Sequence, residues 1–270
     1  MSSPYAEHVF IISFDGGKPT VMQQSYMPTL QRMLKDGAGT WEAHTVFPSV
    51  TLVSHTSMLT GVRPEKHKID WNDWKPEKGV VGVPTVFAVA KKAKKTTALF
   101  AGKEKFAHLY QPKTLDAFAI PDYSAKRVAE AAASYIRAQK PHLCFIHFAD
   151  GDGAGHDNGW GSPAQIRAFE KTDKALATVR EAIQKAGIAR RSVVILTADH
   201  GGHDKTHGRA YNEDIFIPWI ASGAGIPRGM TLTSLISTCD TAATALALLG
   251  LAVPSDWDGK PVPEIFFKGS

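Results

Sequence analysis

Short runs of consecutive apolar residues alternate along this chain with stretches in which apolar residues recur every three or four positions. Val9–Phe14 (VFIISF), Thr97–Phe100, His142–Phe148, Val193–Thr197 and Ile217–Ala221 are the continuous runs, and they read as strands buried on both faces. Residues 21–35, 51–59, 85–94, 125–139, 163–186 and 239–248 carry the helical period. Strand and helix in alternation predict an α/β class: a doubly wound, mostly parallel sheet flanked by helices on both faces. The segment Gly61–Val83, with Trp71, Trp74 and many charges, breaks the rhythm and reads as a small insertion or a long functional loop. No shift in composition marks a boundary, so residues 1–270 are expected to form one domain.

Composition narrows the class without naming a function. With 43% hydrophobic and 21% charged residues, the 270-residue chain is neither disordered, collagen-like nor a coiled coil. No run approaches the roughly 20 apolar residues of a membrane helix, so no membrane span is expected. A net charge of +5 favours anionic ligands but is too diffuse to predict a nucleic-acid polymer as partner. Even the cluster Lys91-Lys92-Ala93-Lys94-Lys95 suits a solvated helix C-terminus. The N-terminal Met1–Tyr5 has no basic or apolar leader character. That implies a cytoplasmic protein as the sequence stands, or a periplasmic or secreted one if an export signal was trimmed from a precursor. Two cysteines, of which Cys144 sits in an apolar run, exclude a disulfide framework and zinc–thiolate chemistry. Eleven histidines leave imidazole and carboxylate as the metal-binding chemistry available.

The informative residues stand at the ends of the apolar runs. The first run ends in Phe14-Asp15-Gly16-Gly17. The third leads through Asp150 to Asp152-Gly153-Ala154-Gly155-His156, and the fourth to Asp199-His200-Gly201-Gly202-His203 and His207. Ligands of doubly wound sheets bind outside the carboxyl ends of the strands, so these clusters are expected to meet at one edge. Carboxylate with neutral imidazole suits zinc, and manganese when carboxylates dominate. A single strand-end Asp is an ordinary turn or cap residue; the whole set is not explained that way. Thr51 opens an apolar helical stretch, where the bland reading is an N-cap, and Ser49 and Ser54 compete with it as nucleophiles. Asn72 alone reads equally well as a turn residue, and His55 and His67 as supporting or structural groups. Lys18 reads as a surface lysine, and Trp71 and Trp74 as a small satellite core or as stacking platforms.

Taken together, the strings resemble the alkaline phosphatase superfamily, in its nucleotide pyrophosphatase/phosphodiesterase branch. The resemblance rests on Asp152-x-x-x-His156, Thr197-Ala198-Asp199-His200-Gly201, the nucleophile segment Phe47–His55, and Leu59-Thr60-Gly61-Val62-Arg63-Pro64-Glu65-Lys66-His67. It implies an alkaline phosphatase-like core with two divalent ions in one cleft, Zn2+ first and Mn2+ second. Asp15, Thr51, Asp199 and His200 would hold one ion. Asp152, His156 and a third histidine would hold the other; no histidine follows His207, which is preferred over His203. Coordination lowers the pKa of a threonine hydroxyl, and the N-terminus of the Thr51 helix faces the incoming phosphate. The implied path is a phospho-threonine on Thr51, then its hydrolysis, with the Asn72 amide donating to a phosphoryl oxygen.

The expected activity is a metal-dependent phosphohydrolase, phosphodiesterase or nucleotide pyrophosphatase-like, acting on a small phosphorylated substrate in an open site. A phosphomonoesterase, or a phosphonoacetate hydrolase-like enzyme cleaving a C–P bond, is the alternative within the class. A non-catalytic metal- or phosphate-binding protein is the alternative outside it. A sulfatase is disfavoured because Thr51-Leu52-Val53 offers no Cys/Ser-x-Pro-x-Arg string. A phosphoglycerate mutase-like transfer is disfavoured because those relatives use serine and a large additional domain.

Overall fold

The computed structural model describes residues 5–266, so all of the N-terminal Met1–Tyr5 stretch but Tyr5 lies outside the described residues. The chain runs β1 (His8–Phe14), α1 (Pro19–Gln24), α2 (Pro28–Lys35), β2 (Gly37–His44), α3 (Thr51–Thr60), α4 (Pro64–His67) and α5 (Val86–Lys92). It continues through β3 (Thr97–Phe100), β4 (Ala117–Ala119), α6 (Ala125–Gln139), β5 (Leu143–Phe148), α7 (Asp150–Asn158) and α8 (Pro163–Lys185). It closes with β6 (Ser192–Thr197), α9 (Asn212–Ile215), β7 (Phe216–Gly223), β8 (Met230–Thr231) and α10 (Asp240–Leu248). The strands form one sheet in the order β4-β3-β5-β1-β6-β7-β2-β8. Among the described strands only β7 runs against the rest, pairing antiparallel with both β6 and β2.

The strand period of two divides the core. Val9 and Ile11 of β1, with Phe145 and Ile195 of its neighbours, pack under α3, α5 and α10. Phe10, Ile12 and Phe14, with Ile146 and Leu196, pack under α1, α2, α6 and α8. Every residue of β1, β5 and β6 is buried, which is why these runs are apolar without alternation. No helix among the described residues is long and apolar enough to cross a membrane.

Three local features depart from the periodic reading. The helix expected over 21–35 is two helices. Pro28, which lacks an N–H and whose ring clashes with the carbonyl four residues back, ends one and begins the next at its N1 position. Gly37–His44 (GAGTWEAH), poor in strand formers, is a strand because β7 and β8 pair with it on either side. Asp150–Asn158, rich in glycine, is a full helix instead of a strand-end loop. It packs on α8, where a Cβ at Gly151 would lie 2.4 Å from the Phe169 ring, so the small residue permits the close approach.

One buried acid ties the second core layer together. Asp173 of α8 accepts hydrogen bonds from the Thr29 and Leu30 N–H groups, both at 2.9 Å, and so caps α2 from another helix. Asp173→Ala leaves two donors without a partner. It is expected to lower the unfolding free energy by about 1–3 kcal/mol, measured by chemical denaturation. An unchanged midpoint would show that this remote cap contributes nothing.

Candidate functional site

The strand register assembles the site. β1 lies between β5 and β6, with Phe14 opposite Phe148 and Ser13 opposite Thr197. The chains therefore leave the sheet level with one another. Asp15 follows β1, Asp199 follows β6, and α7 starts straight after β5 and carries Asp152. Gly16 closes the gap. It adopts φ +70°, a Cβ there would stand 2.9 Å from the Asp152 Cα, and its N–H donates to Asp199 Oδ1 at 3.1 Å.

Each of the three carboxylates has one bonded oxygen and one buried oxygen without a partner. Asp199 Oδ1 accepts from the Gly16 and His200 N–H groups, Asp15 Oδ2 from His147, and Asp152 Oδ2 from Lys103. Asp15 Oδ1, Asp152 Oδ1 and Asp199 Oδ2 have none. Burial and the neighbouring Asp15 charge push the Asp199 carboxyl well above its ordinary range. Burial acts the same way on Asp15, but the Lys103 ammonium and the His147 bond override it and hold Asp15 well below.

The histidines repeat one arrangement. His200 donates through Nδ1 to the Gly201 carbonyl at 2.8 Å, His207 to Ser49 at 2.8 Å and His156 to Lys205 at 3.0 Å. Each ring is thereby left with Nε2 as its acceptor, turned to the carboxylates. His200 Nε2 is 3.2 Å from Asp199 Oδ2 and 3.5 Å from Asp15 Oδ1. His207 and His156 Nε2 stand 3.6 and 3.3 Å from Asp152 Oδ1. Two donors on one tetrahedral zinc are about 3.4 Å apart, so these spacings fit shared ions. Asp15, Asp199 and His200 form one such group, and Asp152, His200 and His207 a second. Burial, then the neighbouring His200, keeps His207 neutral with a pKa of about 3. His156, at the exposed rim, is raised by the Asp152 carboxylate beside it. His203 is turned away, donating from Nδ1 to Asp214 Oδ1 at 2.7 Å, so His207 is the histidine that faces the carboxylates.

Thr51 is not an N-cap. Val50 holds that position, and one first-turn N–H of α3 is met from a distance: Asn72 Oδ1 accepts from the Leu52 N–H at 2.9 Å. That bond orients the Asn72 amide, with its NH2 as the end the helix does not use. Thr51 Oγ1 lies 3.5 Å from His200 Nε2 and 3.4 Å from Lys103 Nζ. The competing hydroxyls are engaged elsewhere, Ser49 with the Arg209 carbonyl and Ser54 with Thr45. Lys18 pairs with Glu213 at 2.8 Å.

Two residues of the candidate site escaped the sequence reading. Lys103 Nζ bridges Asp15 Oδ2 and Asp152 Oδ2, both at 2.7 Å, and His147 lies behind Asp15. Lys103 follows β3, so the strand-end rule applied to acids would have found it had it been extended to bases. His147 sits inside the apolar run of β5 and gave no signal.

His108, from the stretch after β3, clasps the two tryptophans of the segment 61–83. Its Nε2 accepts from Trp71 Nε1 at 3.3 Å and the Lys75 N–H at 3.1 Å, and its ring packs on Trp74. Trp71 packs against the main core and Trp74 is partly exposed. His67 fixes the start of the segment to α3. The Ile69 N–H donates to its Nδ1, and its Nε2–H reaches Ser57 Oγ at 3.0 Å.

The family described as type I phosphodiesterase/nucleotide pyrophosphatase matches residues 9–218. A 2,3-bisphosphoglycerate-independent phosphoglycerate mutase of Ectopseudomonas mendocina is 30% identical over 154 residues, which is 54% of this chain and 28% of that protein. The chain thus spans under a third of the length of these mutases. The bis(5'-adenosyl)-triphosphatase ENPP4 of Bos taurus is 23% identical over 233 residues, 79% of this chain and 51% of that one. Among solved structures, an inactive murine ectonucleotide pyrophosphatase/phosphodiesterase 5 in complex with AMP superposes with a TM-score of 0.79 at 15% identity. That match covers 93% of this chain and 97% of that one. A 2-O GAG sulfatase superposes at 0.81 and 17% identity, over 97% and 74%. At these identities the superpositions establish an alkaline phosphatase-like fold.

Burial pushes the His67 imidazole down to about 4. The unfolded chain, with an ordinary histidine near 6.5, then binds more protons between those values. Stability is accordingly lost as pH falls from about 6.5 to about 4, by up to roughly 3 kcal/mol for this group. His67→Gln is expected to flatten the pH dependence of unfolding in that window by up to about one proton. Parallel profiles for the two proteins would refute the assignment.

Proposed function

The chain belongs to the type I phosphodiesterase/nucleotide pyrophosphatase family, and from that premise we propose that it is a metal-dependent phosphoric ester hydrolase. Its reaction is phosphodiesterase or nucleotide pyrophosphatase-like and proceeds through Thr51. The observation that supports this reading is a set of three buried carboxylate oxygens without a hydrogen-bond partner, with the Thr51 hydroxyl next to His200 and Lys103, the side chains that border those carboxylates. Unpartnered buried oxygens of this kind cost several kcal/mol each and suit cations. Asp15, Asp199 and His200 would hold one divalent ion with Thr51, and Asp152, His156 and His207 the other, zinc by ligand type and manganese next. Bound there, such ions supply Lewis-acid stabilisation of the phosphoryl group and depress the pKa of the Thr51 hydroxyl.

The chain's own residues account for the rest. Thr51 gives up its hydroxyl proton to solvent and its Oγ1 attacks phosphorus in line; the Oγ1–P bond forms as the P–O bond to the leaving group breaks, and the departing oxyanion takes a proton from solvent. Lys103, held protonated between Asp15 and Asp152, favours the alkoxide from 3.4 Å. The Asn72 NH2 and the N-terminus of α3 receive the charge that develops on the phosphoryl oxygens. Water then cleaves the Oγ1–P bond and restores the Thr51 hydroxyl. The likeness to the diadenosine triphosphatase and to the AMP complex favours a small phosphodiester or pyrophosphate substrate.

The test is hydrolysis of bis-p-nitrophenyl phosphate and of p-nitrophenyl phosphate by the zinc- or manganese-loaded protein. Turnover is expected with preference for the diester, and chelation is expected to abolish it. Thr51→Ala is expected to lower kcat by at least about 10³-fold with two metal equivalents retained. A variant at wild-type rate would refute Thr51 as nucleophile. Loss of the Asn72 amide in Asn72→Ala should cost about 10²–10³ in kcat. Metal uptake with neither ester turned over would instead favour a binding protein.

A further inference from the structure

Asp199 takes its orientation from two backbone N–H groups, but Asp15 takes its own from two side chains, Lys103 and His147. Lys103 is shared with Asp152 on a long flexible stem. His147 is rigid. It is fully buried, packed against the rings of Phe106 at 4.5 Å and His55 at 5.1 Å, and paired in register with Ser13 of β1. Its tautomer is set from outside the site. The Gly102 N–H, just past β3, donates to Nδ1 at 3.2 Å, so the ring proton sits on Nε2 and points at Asp15 Oδ2, 2.7 Å away.

We infer that His147 is a positioning residue for a metal centre: by holding Asp15 Oδ2 through a tautomer fixed by Gly102, it makes Oδ1 the single oxygen that Asp15 offers to a cation. The inference rests on the metal reading of the site given above. It follows from three facts of geometry. Asp15 Oδ1 is buried and unpartnered. It lies 3.5 Å from His200 Nε2, the spacing of two donors on one ion. The other oxygen is occupied from behind, so the carboxylate has no freedom to swing or to chelate with both oxygens. His147 itself is no ligand, because both of its ring nitrogens are used. Outer hydrogen bonds of this type set the direction and basicity of the ligand they hold.

The two amides divide the functions of the ring. A glutamine at 147 places its NH2 near the position of Nε2 and reaches Asp15. An asparagine carries its oxygen near the position of Nδ1, satisfies Gly102 and falls short of Asp15. Zn2+ is titrated into metal-free wild type, His147→Gln and His147→Asn against a chromophoric chelator, and the stability of each metal-free protein is measured alongside. His147→Asn is expected to bind the ion held by Asp15 about 10–100-fold more weakly. His147→Gln is expected to stay within a few-fold of wild type, although both variants lose similar stability. Equal affinities for both variants, or losses that simply track stability, would overturn the inference. Should the asparagine variant not fold, the glutamine variant decides: retained affinity supports the inference, and lost affinity at unchanged stability overturns it. A wild-type protein that takes up no metal sinks the reading on which the inference rests, and is told apart by that result alone.

Discussion

Three carboxylates meet within a few ångströms at the carboxyl edge of the sheet, each with one oxygen tied to the protein and the other turned inward. This arrangement is costly by itself, because like charges in a buried, low-dielectric setting repel one another strongly. Among the described residues, Lys103 is the lysine that stands among them. The parallel register of β5, β1 and β6 keeps the acids together despite that repulsion, since the strands are fully buried on both faces and cannot slide without exposing a core layer. The charge cluster is thus the part of the molecule that folding opposes locally and imposes globally, as expected of a functional site.

Around that cluster the same device recurs with different residues. His200, His207 and His156 each spend Nδ1–H on a backbone carbonyl and present Nε2 to the acids. The carbonyls belong to Gly201 and Lys205, on the loop that follows β6, and to Ser49, just before α3. Backbone groups here act as fixed reference points that choose tautomers. His147 uses the device in reverse, with a backbone N–H choosing the acceptor nitrogen so that the proton is delivered to Asp15.

The segment between α3 and α5 couples Thr51 to the rest of the domain. Asn72 caps α3 at the turn that carries Thr51, and His108 and His67 pin the segment at two points. The position of the Thr51 hydroxyl therefore depends on a loop as well as on a helix. Trp71 belongs to the core and Trp74 to its margin, so the aromatic pair braces the loop around His108.

The chain sequence by itself determined the fold class and most of the residues that gather at the candidate site. Buried parallel strands need uninterrupted apolar runs, and the residues that end such runs lie at the ligand-binding edge whatever the details of packing. Asp15, Asp152, Asp199, His200 and His207 were legible for that reason, and Thr51 through the string that surrounds it. Helix Asp150–Asn158 and strand Gly37–His44 were not, because glycine-rich residues adopt those conformations only when Phe169 and the flanking strands pack on them. Nor were Lys103 and His147 legible: one is a lysine in a loop, the other a histidine inside an apolar run, and neither is distinguished by its neighbours in sequence. The choice between His203 and His207, the oxygen each carboxylate turns inward and the tautomer of every ring were settled by tertiary structure alone. Most of them depend on a hydrogen-bond partner brought from a distant part of the chain, as Ser49 is to His207, Lys205 to His156 and Gly102 to His147, and no local pattern records that partner.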